Sequence, residues 1–263
     1  MTHTLRDRHV VVTGGGGGLG AAIAAAFASD AATLTLMGRT QATLASHADV
    51  LRQTFGVDVG TEICDVADPD SVARAFDSAV RARGSVHALV NNAGYAAAGL
   101  FQETTIEEWR HVLDVNLTGT FLCTQRVLPA MLAAGDGRII NIASTAGLRG
   151  YTRVAAYCAA KHGVVGLTRA LAAETKRTGV TVNAVCPGYI EGTPMLHAAI
   201  ANVARATGTT EVAARAMLAK GSPDGSFVEM GEVAARVVWL SSAEASATTG
   251  YVVTFDDAGD VPS

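Results

Sequence analysis

Several markers are missing from this sequence. Its four cysteines, Cys64, Cys123, Cys158 and Cys186, show no C-x-x-C spacing and no clustering with histidine. That excludes a disulfide framework and a zinc site, so no metal is expected and the thiols read as small apolar side chains. There is no run of lysine and arginine, and the formal net charge is -4. Nothing here attracts a phosphate backbone or an anionic membrane, and nucleic acid is not expected as a partner. A sustained apolar run is also missing. The uncharged stretch from Val10 to Ser29 follows Arg6 and Arg8, but six glycines interrupt it where a signal or membrane segment needs good helix formers. The expectation is a cytoplasmic protein without a membrane span. With 49% apolar and 17% charged residues over 263 positions, the chain suits one α/β domain covering residues 1–263.

What is present alternates between strand and helix patterns. His9-Val10-Val11-Val12 reads as a strand, Thr13 to Gly20 as a glycine turn, and the alanine-rich run to Ser29 as a helix. Glycine at such a turn admits a sharp bend and lets a pyrophosphate approach the backbone amides, which predicts a dinucleotide site. Thr33 to Met37 forms a second strand, and its end lacks the carboxylate that binds both ribose hydroxyls of NAD. Gly38 stands there with Arg39 beside it, an arrangement that suits the 2′-phosphate of NADP, with NAD as the alternative.

Further strands are expected at Val57 to Cys64, with Asp65 and Val66 just beyond, at Val86 to Val90, at Ile139 to Ala143 and at Val180 to Cys186. Asp68-Pro69 opens a helix as N-cap and first-turn proline, and Thr105-Ile106-Glu107-Glu108 is a capping-box pattern. The helix it starts runs to about Ala134, with a kink expected at Pro129 and with Asn116 in its interior, where the amide needs a specific partner. After Pro187-Gly188 the alternation stops. Residues 189–230 hold two alanine-rich helical segments and read as a lid over substrate. A helix from Gly231 to Leu240 and a strand from Tyr251 to Phe255 complete the pattern. The prediction is a single-domain doubly wound Rossmann fold, an α/β sheet of about seven parallel strands with helices on both faces.

A candidate acid/base pair is Tyr157 and Lys161, four positions apart on a helix expected over residues 153–172, with Ser144 thirteen positions before the tyrosine; by spacing alone the alternative is a solvated surface pair. A free phenol has a pKa of ~10, and a neighbouring ammonium favours the phenolate, which predicts a proton donor and acceptor usable near neutral pH. His162 is expected to pack off that face.

Thr13, Gly14, Gly18 and Gly20 meet the pattern T-G-x-x-x-G-x-G, Asn91 to Gly94 meet N-N-A-G, and Tyr157 and Lys161 meet Y-x-x-x-K. Asn116, Ser144 and Pro187-Gly188 fall between and after them in order. On these motifs the chain resembles the short-chain dehydrogenase/reductase family over nearly its whole length, in the compact single-domain branch. Asn141 to Ser144 and Lys161 to Gly166 look most like 3-oxoacyl reductases, 3-hydroxyacyl-CoA dehydrogenases and aromatic polyketide ketoreductases. The resemblance implies catalytic roles for Asn116, Ser144, Tyr157 and Lys161, with Asn116 holding a water that returns the proton. It implies cofactor contacts at Gly14, Gly16, Gly18, Leu19, Gly20, Arg39, Asp65, Val66, Asn92, Ala93, Gly94, Tyr157, Lys161, Pro187, Gly188, Ile190 and Thr193.

The activity implied is hydride transfer between NADP(H), or NAD(H), and a ketone or secondary alcohol, foremost a 3-oxoacyl thioester on CoA or a carrier protein. A polyketide or cyclic-ketone reductase is the alternative, and an inert dinucleotide-binding sensor or partner subunit is the competitor from another class. In the lid, Met195, Leu196, Ile200 and Val203 predict an apolar or extended acyl group. Arg149, Arg153, Arg205, Arg215 and Lys220 either meet a carboxylate or pantetheine phosphate or are solvated surface. A homotetramer is implied, with a dimer as the alternative. Two departures stand out: Glu191-Gly192-Thr193-Pro194 is one residue longer than the usual pattern, and Asp256-Asp257-Ala258-Gly259 replaces paired glycines near the tetramer's C-terminal strand.

Overall fold

The computed structural model describes residues 5–220 and 225–255, so the acidic Asp256-Asp257 departure lies outside the described residues. Seven strands form one parallel sheet in the order β3-β2-β1-β4-β5-β6-β7. They are β1 (His9–Thr13), β2 (Thr33–Gly38), β3 (Val59–Ile63), β4 (Ala88–Asn91), β5 (Gly137–Ile142), β6 (Val180–Cys186) and β7 (Val252–Thr254). Helices connect them: α1 (Gly18–Ser29), α2 (Gln41–Phe55), α3 (Pro69–Arg83), α4 (Ile106–Leu113), α5 (Gly119–Ala134), α6 (Ala155–Glu174), α7 (Pro194–Thr207), α8 (Glu211–Ala219) and α9 (Met230–Ser241). None among the described residues is long and apolar enough to cross a membrane.

Because side chains alternate across a strand, each strand feeds two cores. Val10, Val12, Leu34 and Leu36 face Ile23 and Phe27 of α1, Leu44 and Leu51 of α2, and Val237 and Leu240 of α9. Val11, Leu89, Ile139 and Val182 face Phe76 of α3, Val127 and Met131 of α5, and Ala172 of α6. A buried polar ladder links the second layer to the sheet. Asn91 Nδ2 donates to Thr124 Oγ1 of α5 (3.0 Å) and to Asn141 Oδ1 of β5 (2.9 Å), and Asn141 Nδ2 donates to Thr168 Oγ1 of α6 (2.9 Å).

The predicted helix starts form as expected at Asp68, whose Oδ1 accepts from Asp70 N (3.0 Å), and at Thr105, whose Oγ1 accepts from Glu108 N (3.1 Å). The long helix differs from expectation. Its α pattern is interrupted not at Pro129, inside α5, but by a π-helical turn at Asp114–Thr118 that contains Asn116. Wider turns of this kind gather at functional sites. At the opposite end of the sheet, Asp136 collects Arg8 (3.2 Å), His87 Nδ1 (3.3 Å) and the buried Arg138 (3.1 Å).

Candidate active site

The strand order reverses beside β1, so the carboxyl ends of β1 and β4 flank a crevice where open sheets of this kind take ligands. The glycine turn leaves β1 there and Asn91 to Gly94 leave β4. Thr13 Oγ1 accepts from the amides of Asn92 and Ala93, both at 3.0 Å, while Asn92 Nδ2 donates back to Thr13 O (2.9 Å). His47 of α2 adds a bond from Nδ1 to Gly15 O (2.9 Å).

Two glycines here are demanded by geometry. Gly14 has φ +67°, and a Cβ on Gly20 would lie 2.2 Å from Gly14 O. A dinucleotide fits this turn. In front of Gly17 and Gly18 nothing lies within 4 Å of an added Cβ, and α1 begins with no side-chain cap and no acidic residue in its first turn. Its first amides are therefore bare, with the positive end of the helix dipole behind them, as a pyrophosphate requires. Arg39, at the end of β2, is exposed and has no hydrogen bond or ion pair with the described residues. Asp65 points inward to its own turn, where Oδ1 accepts from Ala67 N (3.0 Å).

Along the crevice runs a cleft of about 270 Å³, lined by Gly18, Leu19, Asn92, Gly94, Ser144, Tyr157, Lys161, Pro187, Gly188, Ile190 and Thr193 among the predicted residues. Gly14, Gly20 and Ala93 build the turn behind it, Gly16 packs near Thr43 of α2, and Arg39, Asp65 and Val66 sit at the ends of β2 and β3. Ile142, Ala143, Tyr189, Pro194, Met195 and Leu196 also line it. Tyr189 and the Ile142-Ala143 wall were not singled out from sequence; the readable signal was an aromatic residue immediately after Pro187-Gly188.

Ser144 lies two residues beyond β5 in extended conformation and lines the cleft together with Tyr157. A glycine at 147 lets α6 reach this wall, since a Cβ there would lie 2.6 Å from Lys161 O. Lys161 Nζ sits 5.5 Å from the Tyr157 ring centroid and donates to Ile142 O (2.7 Å). Asn116 is fully buried, and the amide found its specific partners: Nδ2 donates to Tyr95 O (2.6 Å) and Val112 O (2.8 Å), while Oδ1 accepts from Tyr95 N (3.4 Å). It thereby pins the loop after Gly94 against the π-helical turn.

Burial pushes the Tyr157 phenol up to about 12, against a lowering by Ser144. The same burial pushes Lys161 down to about 8. Both side chains lie in one desolvated place, where either charged form is disfavoured. His162 is exposed and turned back on its own helix, with Nδ1 bonded to Cys158 O (2.8 Å).

The two helical segments expected as a lid form α7 and α8 around their own core of Leu196, Ile200, Ala214 and Phe227. Arg215 pairs with Glu191 and stacks over Phe227, 4.7 Å from the ring centroid. Arg149 is likewise engaged, donating from Nε to Tyr151 OH (2.8 Å). The longer 191–194 segment is absorbed by Gly192 at φ +71° and by Thr193 capping α7, its Oγ1 accepting from Leu196 N (3.3 Å) and donating to Ile190 O (2.8 Å).

The model of the family described as short chain dehydrogenase matches residues 8–204. A protein named as ketoacyl reductase 1 of the granaticin polyketide synthase of Streptomyces violaceoruber is 44% identical over 245 residues, covering 92% of this chain and 89% of its own. A D-beta-hydroxybutyrate dehydrogenase of Cupriavidus necator is 35% identical over 253 residues, covering 96% of this chain and 97% of its own. The crystal structure of an actinorhodin polyketide ketoreductase variant with NADPH superposes with a TM-score of 0.90 at 37% identity, covering 95% of both chains. The motifs, the sheet and these likenesses agree, and the chain belongs to the short chain dehydrogenase family, oxidoreductases that interconvert carbonyl compounds and alcohols with a nicotinamide dinucleotide.

Proposed function

We propose that this chain reduces the ketone of a 3-oxoacyl thioester of the polyketide type, with NADPH as cofactor. The observation that carries the reading is the convergence of Ser144, Tyr157 and Lys161 in one cleft, between the glycine turn and the apolar wall of Ile142, Met195 and Leu196. When bound, the dinucleotide supplies the hydride; everything else is asked of the protein. Ser144 and Tyr157 donate to the substrate carbonyl oxygen, and Tyr157 passes its proton to that oxygen as negative charge develops on it. The Lys161 ammonium stabilises the phenolate left behind. Asn116 keeps the Gly94 loop in place and, by family likeness, holds the water through which the proton is returned.

Burial keeps the Tyr157 phenol protonated at neutral pH, the form in which it donates to the substrate oxygen during reduction. Residues 1–263 act as one catalytic domain in this reading, with 189–230 as its lid. NADPH is favoured over NADH by Gly38 in place of a carboxylate and by the exposed, unpaired Arg39 among the described residues; the related ketoreductase crystallised with NADPH supports it. A cytoplasmic homotetramer is the proposed state, supported by large apolar residues exposed on α5, Phe121 at 45% and Leu132 at 41%. The test is NADPH and NADH oxidation by pure protein across 3-oxoacyl thioesters, their free acids, cyclic ketones and sugars. Turnover fastest with the thioesters and NADPH is expected, and Arg39→Ala is expected to reduce the NADPH preference about tenfold or more. Dinucleotide binding with no turnover across the panel would instead favour the inert sensor.

A further inference from the structure

We propose that Tyr189 is a second substrate-reading residue, whose hydroxyl donates to an oxygen on the carbon β to the ketone carbon and so selects β-dicarbonyl substrates. The inference rests on the cleft being a ketone-reducing site, and it names a group that the reaction itself does not require.

Tyr189 follows Pro187-Gly188 where β6 ends, and its half-buried side chain lines the same cleft as Ser144 and Tyr157. The ring is held by the lid. Tyr189 O accepts from Val228 N (2.9 Å), Glu191 N donates to Val228 O (2.9 Å), and the ring meets Phe227 edge-on with centroids 6.1 Å apart at 77°. Arg215 covers Phe227 and is fixed in turn by Glu191. Packing accounts for the ring and not for the hydroxyl, which makes no hydrogen bond with the described residues.

The other polar side chains near the cleft are committed. Tyr151 OH donates to Thr145 Oγ1 (2.9 Å) and accepts from Arg149, Thr193 Oγ1 donates to Ile190 O, and Asn92 Nδ2 donates to Thr13 O. Lys161 is turned to Ile142 O. Beside the reacting Ser144 and Tyr157, Tyr189 is thus the hydroxyl among the described lining residues that is still free to donate. Burial holds its phenol above the ordinary range, so it is a neutral donor at physiological pH. A second substrate carbonyl entering between Ile142, Met195 and Leu196 would lose its hydration there and needs a donor.

The experiment compares wild type with Tyr189→Phe on two substrates: a 3-oxobutanoyl thioester, and the thioether of the same length in which CH2 replaces the thioester C=O. For the variant, kcat/KM for the thioester should fall about tenfold, mainly through KM, while that for the thioether stays within about twofold. Equal effects on both substrates, or none on either, overturn the proposal. NADPH binding followed by fluorescence reports on folding of the variant. Independently of any variant, the wild type must favour the thioester over the thioether by about tenfold, and equal rates also overturn it. A wild type that reduces neither compound removes the proposed function and this inference together. One that reduces both, with a ratio that Tyr189→Phe leaves unchanged, removes this inference alone.

Discussion

Replacing Gly20 with alanine tests the glycine turn at a point where the structure sets the size of the effect. The added Cβ would lie 2.2 Å from Gly14 O and 2.6 Å from Asn92 Nδ2. Ordinary contact needs roughly 3.5 Å, so the turn, the asparagine or the first residues of α1 must move by about 1 Å. None of these yields easily: Gly14 is already at φ +67°, and Asn92 is tied to Thr13 O. Overpacking of this kind costs about 1–3 kcal/mol, which for a domain of this size lowers the melting temperature by about 3–10 °C. The displaced amides are those that face the pyrophosphate, so NADPH affinity should drop at least about tenfold, since misplacements of about 1 Å have effects of this order or larger. Gly17 is the internal control. It stands at φ -178° with nothing within 4 Å of an added Cβ, so Gly17→Ala should melt at the parental temperature or slightly above it. Thermal melts and fluorescence titration with NADPH measure both quantities. If Gly20→Ala melts and binds like the parent, or if Gly17→Ala loses as much stability, the steric account of the turn is refuted.

Tyr157→Phe should lower kcat by about 10²-fold or more while NADPH binding is retained; turnover near that of wild type would remove the tyrosine from the mechanism. Because Lys161 is pushed down to about 8, kcat/KM for reduction should be level from pH 6 to 7.5 and fall as the ammonium is lost above about pH 8, and Lys161→Met should abolish that fall along with most of the rate. The same burial penalises the ammonium in the folded state, so Lys161→Met should also raise the melting temperature at pH 7, by less above pH 10, where the unfolded chain too carries a neutral lysine. His9 and His87 are both held below the ordinary histidine range by burial, so the unfolded chain binds more protons below about pH 6.5. Stability should therefore be full above that pH and decline as pH falls through it, and a His9→Gln, His87→Gln double variant should show a shallower decline in urea melts.

The polar ladder at Asn91 and Asn141 and the ends of the lid helices show how far one-dimensional reasoning reaches. Short apolar runs sufficed to find the central strands, because a parallel strand covered on both faces is buried along its whole length, as β1 is from His9 to Thr13. Asp68 and Thr105 were readable as caps, since capping is a contact between residues two or three positions apart. The π-helical turn was not readable: Asn116 is one residue in an ordinary helical pattern until Tyr95, twenty-one positions earlier, is folded against it. The fate of Arg215 was open for the same reason, since Glu191 precedes α7 and Phe227 follows α8 in the chain.

By itself, then, the sequence determined the layered parallel fold and the dinucleotide turn, which follow from local spacing and strand-helix alternation, while the Ser144, Tyr157 and Lys161 set was legible through the motifs of the family the chain resembles. Tertiary structure alone decided how deeply that set is buried. Burial depends on every element packed around a side chain, and it pushes the phenol of Tyr157 up and the ammonium of Lys161 down. It also decided that Tyr189 stands beside them in the cleft with its ring edge-on to Phe227, thirty-eight positions further along the chain.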